Sequence, residues 1–164
     1  MPDYPVMFTV RDTVSGNGFL AGVTLNGRAV MCFEDGKWWI FGVRPAPIAE
    51  SGETPQEAFL RFRNSYKNVL FDFAESSEKY ENFREAVESF YQQPDDEEEA
   101  RWHTAFQALR SGQIKPEPPF FSTLPKEEPE NRPTQISVER LDKTTSRYTP
   151  TDNVPDRFVM AKAA

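Results

Sequence analysis

The sequence is poor in the residues that carry most metal and nucleophilic chemistry. Its 164 residues include one cysteine, Cys32, and one histidine, His103. A single cysteine excludes an internal disulfide, and because Cys32 stands in an apolar strand pattern we expect a buried thiol rather than a reactive one. His103 has no second histidine or cysteine nearby in the sequence, which favours a packing or surface role over metal binding. We expect no metal and no cofactor.

Long apolar runs are also missing. No segment approaches the roughly 18 consecutive apolar residues that span a bilayer, and the start, Met1-Pro2-Asp3-Tyr4, lacks the basic and apolar stretches of a signal peptide. We therefore expect a cytoplasmic protein without membrane insertion. The sequence has no glycine-rich phosphate loop, no paired cysteines at metal spacing and no nucleophile elbow, so no catalytic residue is assigned.

An enzyme that uses carboxylates is the least favoured alternative. Acidic residues are plentiful, and Asp12 with Glu50 or Glu57 would supply a pair for general acid and base catalysis. Carboxylates are this common on any acidic protein, so the pattern has little specificity. The run Asp95–Glu99 lacks the alternating ligands of a calcium loop. It is better explained as a helix start.

Charge is distributed unevenly along the chain. The net charge is −7, and all of it lies in residues 1–112, which hold 11 basic and 18 acidic side chains, whereas residues 113–164 hold eight of each. Ten acidic side chains lie in 75–99, where the basic residues are Lys79 and Arg84. Such a surface repels phosphate backbones and suits a basic protein partner, although solvation alone explains many acidic surfaces. Nucleic acid is not favoured as a ligand.

Alternating apolar residues and turn signals predict a four-stranded antiparallel meander. The strands are expected at about 5–14, 19–25, 28–34 and 37–43. The dipeptides Asn26-Gly27 and Asp35-Gly36, which are typical of tight hairpins, separate the last three strands. Strands 28–34 and 37–43 are apolar on both faces and need cover on both sides.

The fourth predicted strand supplies candidate partner-binding residues, Trp38, Trp39 and Phe41. Core packing or a protein interface is favoured over stacking on single-stranded bases, because the basic residues nearby are too few for a nucleic-acid footprint. In a simple meander this strand is an edge, and a bare aromatic edge promotes aggregation. We expect it to pair with a second copy in a homo-oligomer, with a partner, or with the tail.

Three helices are predicted after the sheet, at about 55–74, 78–92 and 96–111. The first has the clearest start, since Thr54 serves as the N-cap, Pro55 takes the first helical position and Glu57 completes a capping box. Its apolar stripe should pack on one face of the sheet. These elements give an α+β domain over residues 1–112.

Beyond Gly112 the composition changes abruptly. Eight of the 14 prolines and none of the eight glycines lie in 113–164, which predicts an extended proline-rich tail. Phe120 and Phe121 are costly to leave in water, so we expect them to anchor the tail on a partner or on the aromatic fourth strand. The alternative is a disordered tail with incidental aromatics. A short strand pattern follows at 135–141.

One stretch resembles the HicB-like antitoxins. The segment EDGKWWIFGVRPAP at 34–47 and the segment GETPQEA at 52–58 are similar to that family's aromatic strand, proline-bearing loop and helix start, within a match over residues 34–74. The resemblance implies a small sheet-and-helix fold, described as a degenerate ribonuclease H, in a protein that neutralises a small basic ribonuclease toxin. Members often carry a DNA-binding module as well, which 113–164 does not match.

Together these patterns predict a non-catalytic, HicB-like regulator that presents an acidic surface to a basic protein partner. The alternative is an accessory or scaffold subunit of a larger assembly that docks through its proline-rich tail. The candidate partner-binding residues are Trp38, Trp39, Phe41, Phe120 and Phe121.

Overall fold

A computed structural model describes residues 2–115 and 135–142, and the backbone alone of 157–160. Its elements, in chain order, are β1 (Asp3–Gly16), β2 (Phe19–Glu34), β3 (Lys37–Arg44), β4 (Ala49–Gly52), α1 (Pro55–Ser76), α2 (Tyr80–Gln92), α3 (Asp96–Arg110), β5 (Gln135–Arg140) and β6 (Arg157–Met160). The predicted α+β class is confirmed, as are the three helices, whose ends lie within two residues of the expected ones. Among the described residues no helix is both long enough and apolar enough to cross a membrane.

The first two strands form one long antiparallel hairpin. A turn at Asn17-Gly18 joins them, and Gly18 takes a φ of 75°, which side chains other than that of glycine adopt at a cost. Pairing then runs without a break from Gly16 with Phe19 to Asp3 with Cys32. The predicted hairpin at Asn26-Gly27 is therefore wrong, because the expected strands 19–25 and 28–34 are a single strand.

Local packing explains why Asn26-Gly27 does not turn. The Thr9 hydroxyl donates to Asn26 Oδ1 at 2.8 Å, across the continuous ladder with β1. A Cβ at position 27 would lie 2.4 Å from the Phe8 ring and 2.5 Å from the Arg44 carbonyl oxygen. Position 27 therefore has to be glycine, because β1, β2 and β3 approach one another closely there. The pairing of β2 with β3 shifts register at the next residues along the chain, between Arg28 and Ala29.

The antiparallel meander order is confirmed, but the four predicted strands form only β1, β2 and β3. β1, β2, β3 and β4 lie side by side in chain order, and the predicted turn at Asp35-Gly36 joins β2 to β3. β4 was not predicted. It pairs with β3, so the aromatic strand that was predicted to be an edge strand is paired on both sides. β5 pairs with the first half of β2 and β6 with β1, so the C-terminal segment adds two strands to the sheet.

The helices cover both faces of the sheet, as the two-sided apolar strands predicted. α1 and α2 pack on what we call the inner face, where their stripe meets alternate residues of β1, β2 and β3. The inner-face core includes Val6, Phe8, Val10, Leu25, Met31, Ile40, Phe59, Phe62, Tyr66, Leu70, Phe83 and Val87. α3 packs on the opposite, outer face through Trp102 and Phe106, which contact Val30 and Val43.

The starts of α1 and α3 follow from their caps. Thr54 Oγ1 accepts a hydrogen bond from the Glu57 amide at 3.1 Å, which confirms Thr54 as the N-cap. Glu57 Oε2 accepts one from the Glu53 amide at 2.8 Å, so its return contact is to the residue before the cap and not to Thr54 as in a standard capping box. Asp95 Oδ1 likewise accepts from the Glu98 amide at 3.1 Å. Part of the acidic run therefore satisfies the backbone of α3.

Candidate interaction surfaces

The three aromatic candidates on β3 point to opposite faces of the sheet. Trp38 lies on the inner face and packs against the core, with its ring centroid 6.1 Å from that of Tyr4 and 5.5 Å from that of Phe33. Trp39 and Phe41 lie on the outer face, because successive side chains of a strand alternate. The structure thus brings together two of the three candidates and gives Trp38 a packing role.

Trp39 and Phe41 form a half-buried aromatic pair beside the first turns of α3. Their rings are nearly parallel, at 10°, with centroids 5.9 Å apart, and the Arg101 guanidinium carbon lies 5.0 Å from the centroid of the Phe41 ring. A cation over an aromatic face is attracted by the ring quadrupole. We call Trp39, Phe41 and Arg101 the outer aromatic surface.

Sequence reasoning missed Arg101 and its partner Asp3. Arg101 donates from Nε and Nη2 to both carboxylate oxygens of Asp3, at 2.8 and 2.7 Å, and lies 3.6 Å from Glu98. The hydrogen bonds to Asp3 raise the pKa of Arg101, so the guanidinium stays charged. The two residues are 98 positions apart, and no local pattern signals such a pair.

Cys32 is buried, as predicted, and lies under the same arginine. Its thiol is 3.5 Å from Arg101 Nη2. Burial raises the pKa of Cys32, and the nearby Arg101 lowers it by a smaller amount. The thiol therefore stays protonated near neutral pH, which disfavours nucleophilic or metal chemistry at this position.

The acidic run 75–99 holds carboxylates in three settings, the first of which is Asp95 as the cap of α3. Some of its carboxylates bind arginines: Glu88 binds Arg84, Glu98 binds Arg101, and Glu99 binds Arg44 at 3.0 Å. Six others are exposed and make no ion pair with the described residues: Glu75, Glu78, Glu81, Glu85, Asp96 and Glu97. We call the first four of these, which run from the end of α1 into α2, the acidic α2 surface.

The carboxylates proposed for an acid and base pair each bind a different group. Asp12 accepts a hydrogen bond from Arg63 at 2.7 Å, and Glu57 accepts one from Arg61 at 2.6 Å. Glu50 accepts one from the Ser65 hydroxyl. These contacts place Asp12 in an ion pair in the core rather than opposite a second carboxylate, so the arrangement offers no acid and base pair at these positions.

His103 lies on α3, on the outer face of the sheet. His103 is half-buried and contacts Trp102 edge to face, with centroids 5.4 Å apart, which is the packing role that the sequence favoured. Across the described ranges, no three histidine, cysteine, aspartate or glutamate side chains are grouped so that they could hold a metal ion. Phe120 and Phe121 lie outside the described residues.

Comparison of the chain with family models, with curated proteins and with solved structures finds no match. The resemblance to HicB-like antitoxins over 34–74 stays a prediction.

Proposed function

We propose that this protein is a non-catalytic regulator that binds a basic protein partner through the acidic α2 surface. The observation that carries the proposal is the exposed row of Glu75, Glu78, Glu81 and Glu85, which lack ion pairs within the described part of the chain. Exposed carboxylates that make no ion pair with the described residues can attract an approaching cation, and such surfaces steer association of oppositely charged proteins.

The packing of α2 supports the same proposal. Phe83, Val87 and Tyr91 are buried against the inner-face core, so the helix is fixed on the sheet and its opposite side is presented to solvent. The HicB-like resemblance implies a small basic ribonuclease toxin as the partner, and an acidic surface on a helix whose opposite side is buried fits that chemistry. The Asp12 carboxylate is already bound by Arg63, so Asp12 is a poor candidate for an acid or base catalyst. This favours a binding function for the protein over carboxylate catalysis.

Affinity purification of the full chain, with identification of the co-purifying proteins, tests the proposal. We expect basic proteins whose recovery falls steeply as salt rises, because exposed charges are screened. The triple variant Glu78→Gln, Glu81→Gln, Glu85→Gln should lose them. A matched control, Glu34→Gln, Asp35→Asn, Glu53→Gln, removes the same charge near β3 and β4 and should retain them.

Recovery that is equal in both variants, or that does not change with salt, contradicts the acidic α2 surface as the binding site. The alternative function, docking of an accessory subunit through Phe120 and Phe121, predicts a different result. Replacement of both phenylalanines by alanine should then abolish recovery, while the charge variants leave it unchanged.

A further inference from the structure

β4 leaves one side of its backbone without a strand partner among the described residues. It pairs with β3 on the other side only, over the register Trp38 with Gly52 to Phe41 with Ala49. The Gly42 amide donates to the Ile48 carbonyl at 2.8 Å, so this pair is hydrogen-bonded. Since hydrogen-bonded pairs alternate in an antiparallel ladder, the backbone N–H and C=O groups of Glu50 point toward β3. The backbone groups of Ala49 and Ser51 point outward, away from the sheet.

Arg61 marks the same edge independently. Its Nη1 donates to the Ser51 carbonyl oxygen at 3.0 Å, which is the orientation that the ladder predicts for Ser51. Glu57 holds the other end of the guanidinium at 2.6 Å. A cation across an edge strand is a known means of preventing unwanted pairing. The Arg61 side chain is 54% exposed, so it can leave the edge at little cost in packing.

The side chains beside this edge define what an added strand has to carry. Ala49 and Ser51 are small and share the outer face with their cross-strand partners, Phe41 and Trp39. A larger apolar side chain on an added strand can therefore reach over them to the aromatic rings. Glu50 points to the inner face, as its partner in β3 does, and its carboxylate accepts a hydrogen bond from the Ser65 hydroxyl of α1. That donor is neutral and Glu50 makes no ion pair with the described residues, so a basic side chain opposite Glu50 would complement its charge.

We propose that β4 is a docking edge for an extended strand of a partner protein. This strand carries apolar residues opposite Ala49 and Ser51 and a basic residue opposite Glu50, and it displaces Arg61 from the Ser51 carbonyl. In strand addition, main-chain hydrogen bonds provide affinity and alternate side chains provide specificity. The inference goes beyond the acidic α2 surface and does not depend on it.

A second copy of this chain fits the edge less well. Antiparallel pairing of two β4 strands through the outward groups of Ala49 and Ser51 places Glu50 opposite the same residue of the other copy, and like charges directly opposite each other destabilise a sheet. Such pairing would also require two Arg61 side chains to leave one interface. An apolar strand with a central basic residue avoids the charge repulsion.

The test uses the peptide acetyl-Thr-Val-Lys-Val-Thr-amide, titrated into the full chain and followed by amide NMR and hydrogen exchange. We expect amide chemical-shift changes and slower amide hydrogen exchange at Ala49 and Ser51.

Two kinds of control accompany this test. The same peptide with both valines N-methylated lacks the backbone N–H donors that face β4 and should not bind. Arg61→Ala should strengthen binding about fivefold, because one hydrogen bond no longer competes. Arg84→Ala, which removes an equally exposed, Glu88-paired arginine, should leave the affinity unchanged.

No change at Ala49 and Ser51, equal binding of the N-methylated peptide, or weaker binding to Arg61→Ala would overturn the proposal. The triple glutamine variant of the acidic α2 surface separates the two proposals, because it should lose the basic partner and still bind the peptide.

Discussion

Arg63 of α1 donates from Nη2 to Asp12 Oδ1 of β1 at 2.7 Å, and both side chains are almost fully buried, at 9% and 4% exposed. Asp12 stands at an inward position of β1, between the buried valines Val10 and Val14. Its partner on α1 compensates the buried charge. The ion pair therefore joins the hairpin to the main helix and fixes how α1 lies on the inner face.

The first prediction concerns this pair. Asp12→Ala should lower the free energy of unfolding by about 3–5 kcal/mol, because it leaves the Arg63 charge buried without its carboxylate. The double variant Asp12→Leu, Arg63→Met should recover most of that loss, since it removes both charges and fills the space with apolar groups. Urea denaturation measures both. A double variant that is less stable than Asp12→Ala would contradict the account.

The helices were predictable from sequence because their signals are local. Thr54, Pro55 and Glu57 define the start of α1 within four residues, and the Asp35-Gly36 turn is equally local. Asn26-Gly27 carries the same hairpin signal but lies opposite a β1 strand that continues past it, and only the tertiary pairing decides between turn and strand. β4 has no alternating apolar residues, and the Arg101–Asp3 pair joins residues that are 98 positions apart.

The second prediction tests the orientation of α1. Phe62→Ala should cost about 3–5 kcal/mol, because Phe62 is fully buried and contacts Phe8 edge to face at 5.4 Å. Phe71→Ala on the same helix is the matched control, since Phe71 is 43% exposed, and it should be close to neutral. Thr54→Ala should cost about 1 kcal/mol through loss of the cap. Equal losses in the two phenylalanine variants would show that α1 is rotated.

The third prediction concerns the close approach at Gly27. Gly27→Ala should destabilise the protein by about 1–3 kcal/mol, because the new Cβ meets the Phe8 ring and the Arg44 carbonyl. Gly36→Ala is the control for a true turn position, since a Cβ there meets no atom within 4 Å and any cost arises from its φ of 77°. Chemical denaturation combined with amide exchange separates the two, because only Gly27→Ala should speed exchange in the β1–β2 ladder.

The fourth prediction is a pH dependence that arises from Tyr66. Burial raises the pKa of Tyr66 strongly, with a smaller contribution from Asp12, and its hydroxyl has no hydrogen-bond partner in the described structure. The unfolded chain releases this proton near pH 10 and the folded chain does not, so stability falls as pH rises above about 10, by about 1.4 kcal/mol per pH unit. Tyr66→Phe should remove that part of the slope and cost little at pH 7. Identical alkaline slopes would contradict it.

The last prediction separates the roles of the two tryptophans of β3. Trp38 packs against the inner-face core beside Tyr4, so Trp38→Ala should lower the free energy of unfolding by about 3 kcal/mol. Trp39 contacts Phe41 on the outer face, and Trp39→Ala should cost about 1 kcal/mol or less, comparable to the loss of one aromatic pair.

Peptide binding should depend on the two tryptophans in the opposite order, with Trp39 important and Trp38 not. Trp39→Ala should weaken binding of the valine-lysine-valine peptide at β4, because an apolar side chain that reaches over Ser51 loses its contact surface. Trp38→Ala, assayed at a temperature where it remains folded, should bind the peptide as the unaltered chain does. If Trp39→Ala binds the peptide normally, Trp39 and Phe41 play no part in recognition at this edge.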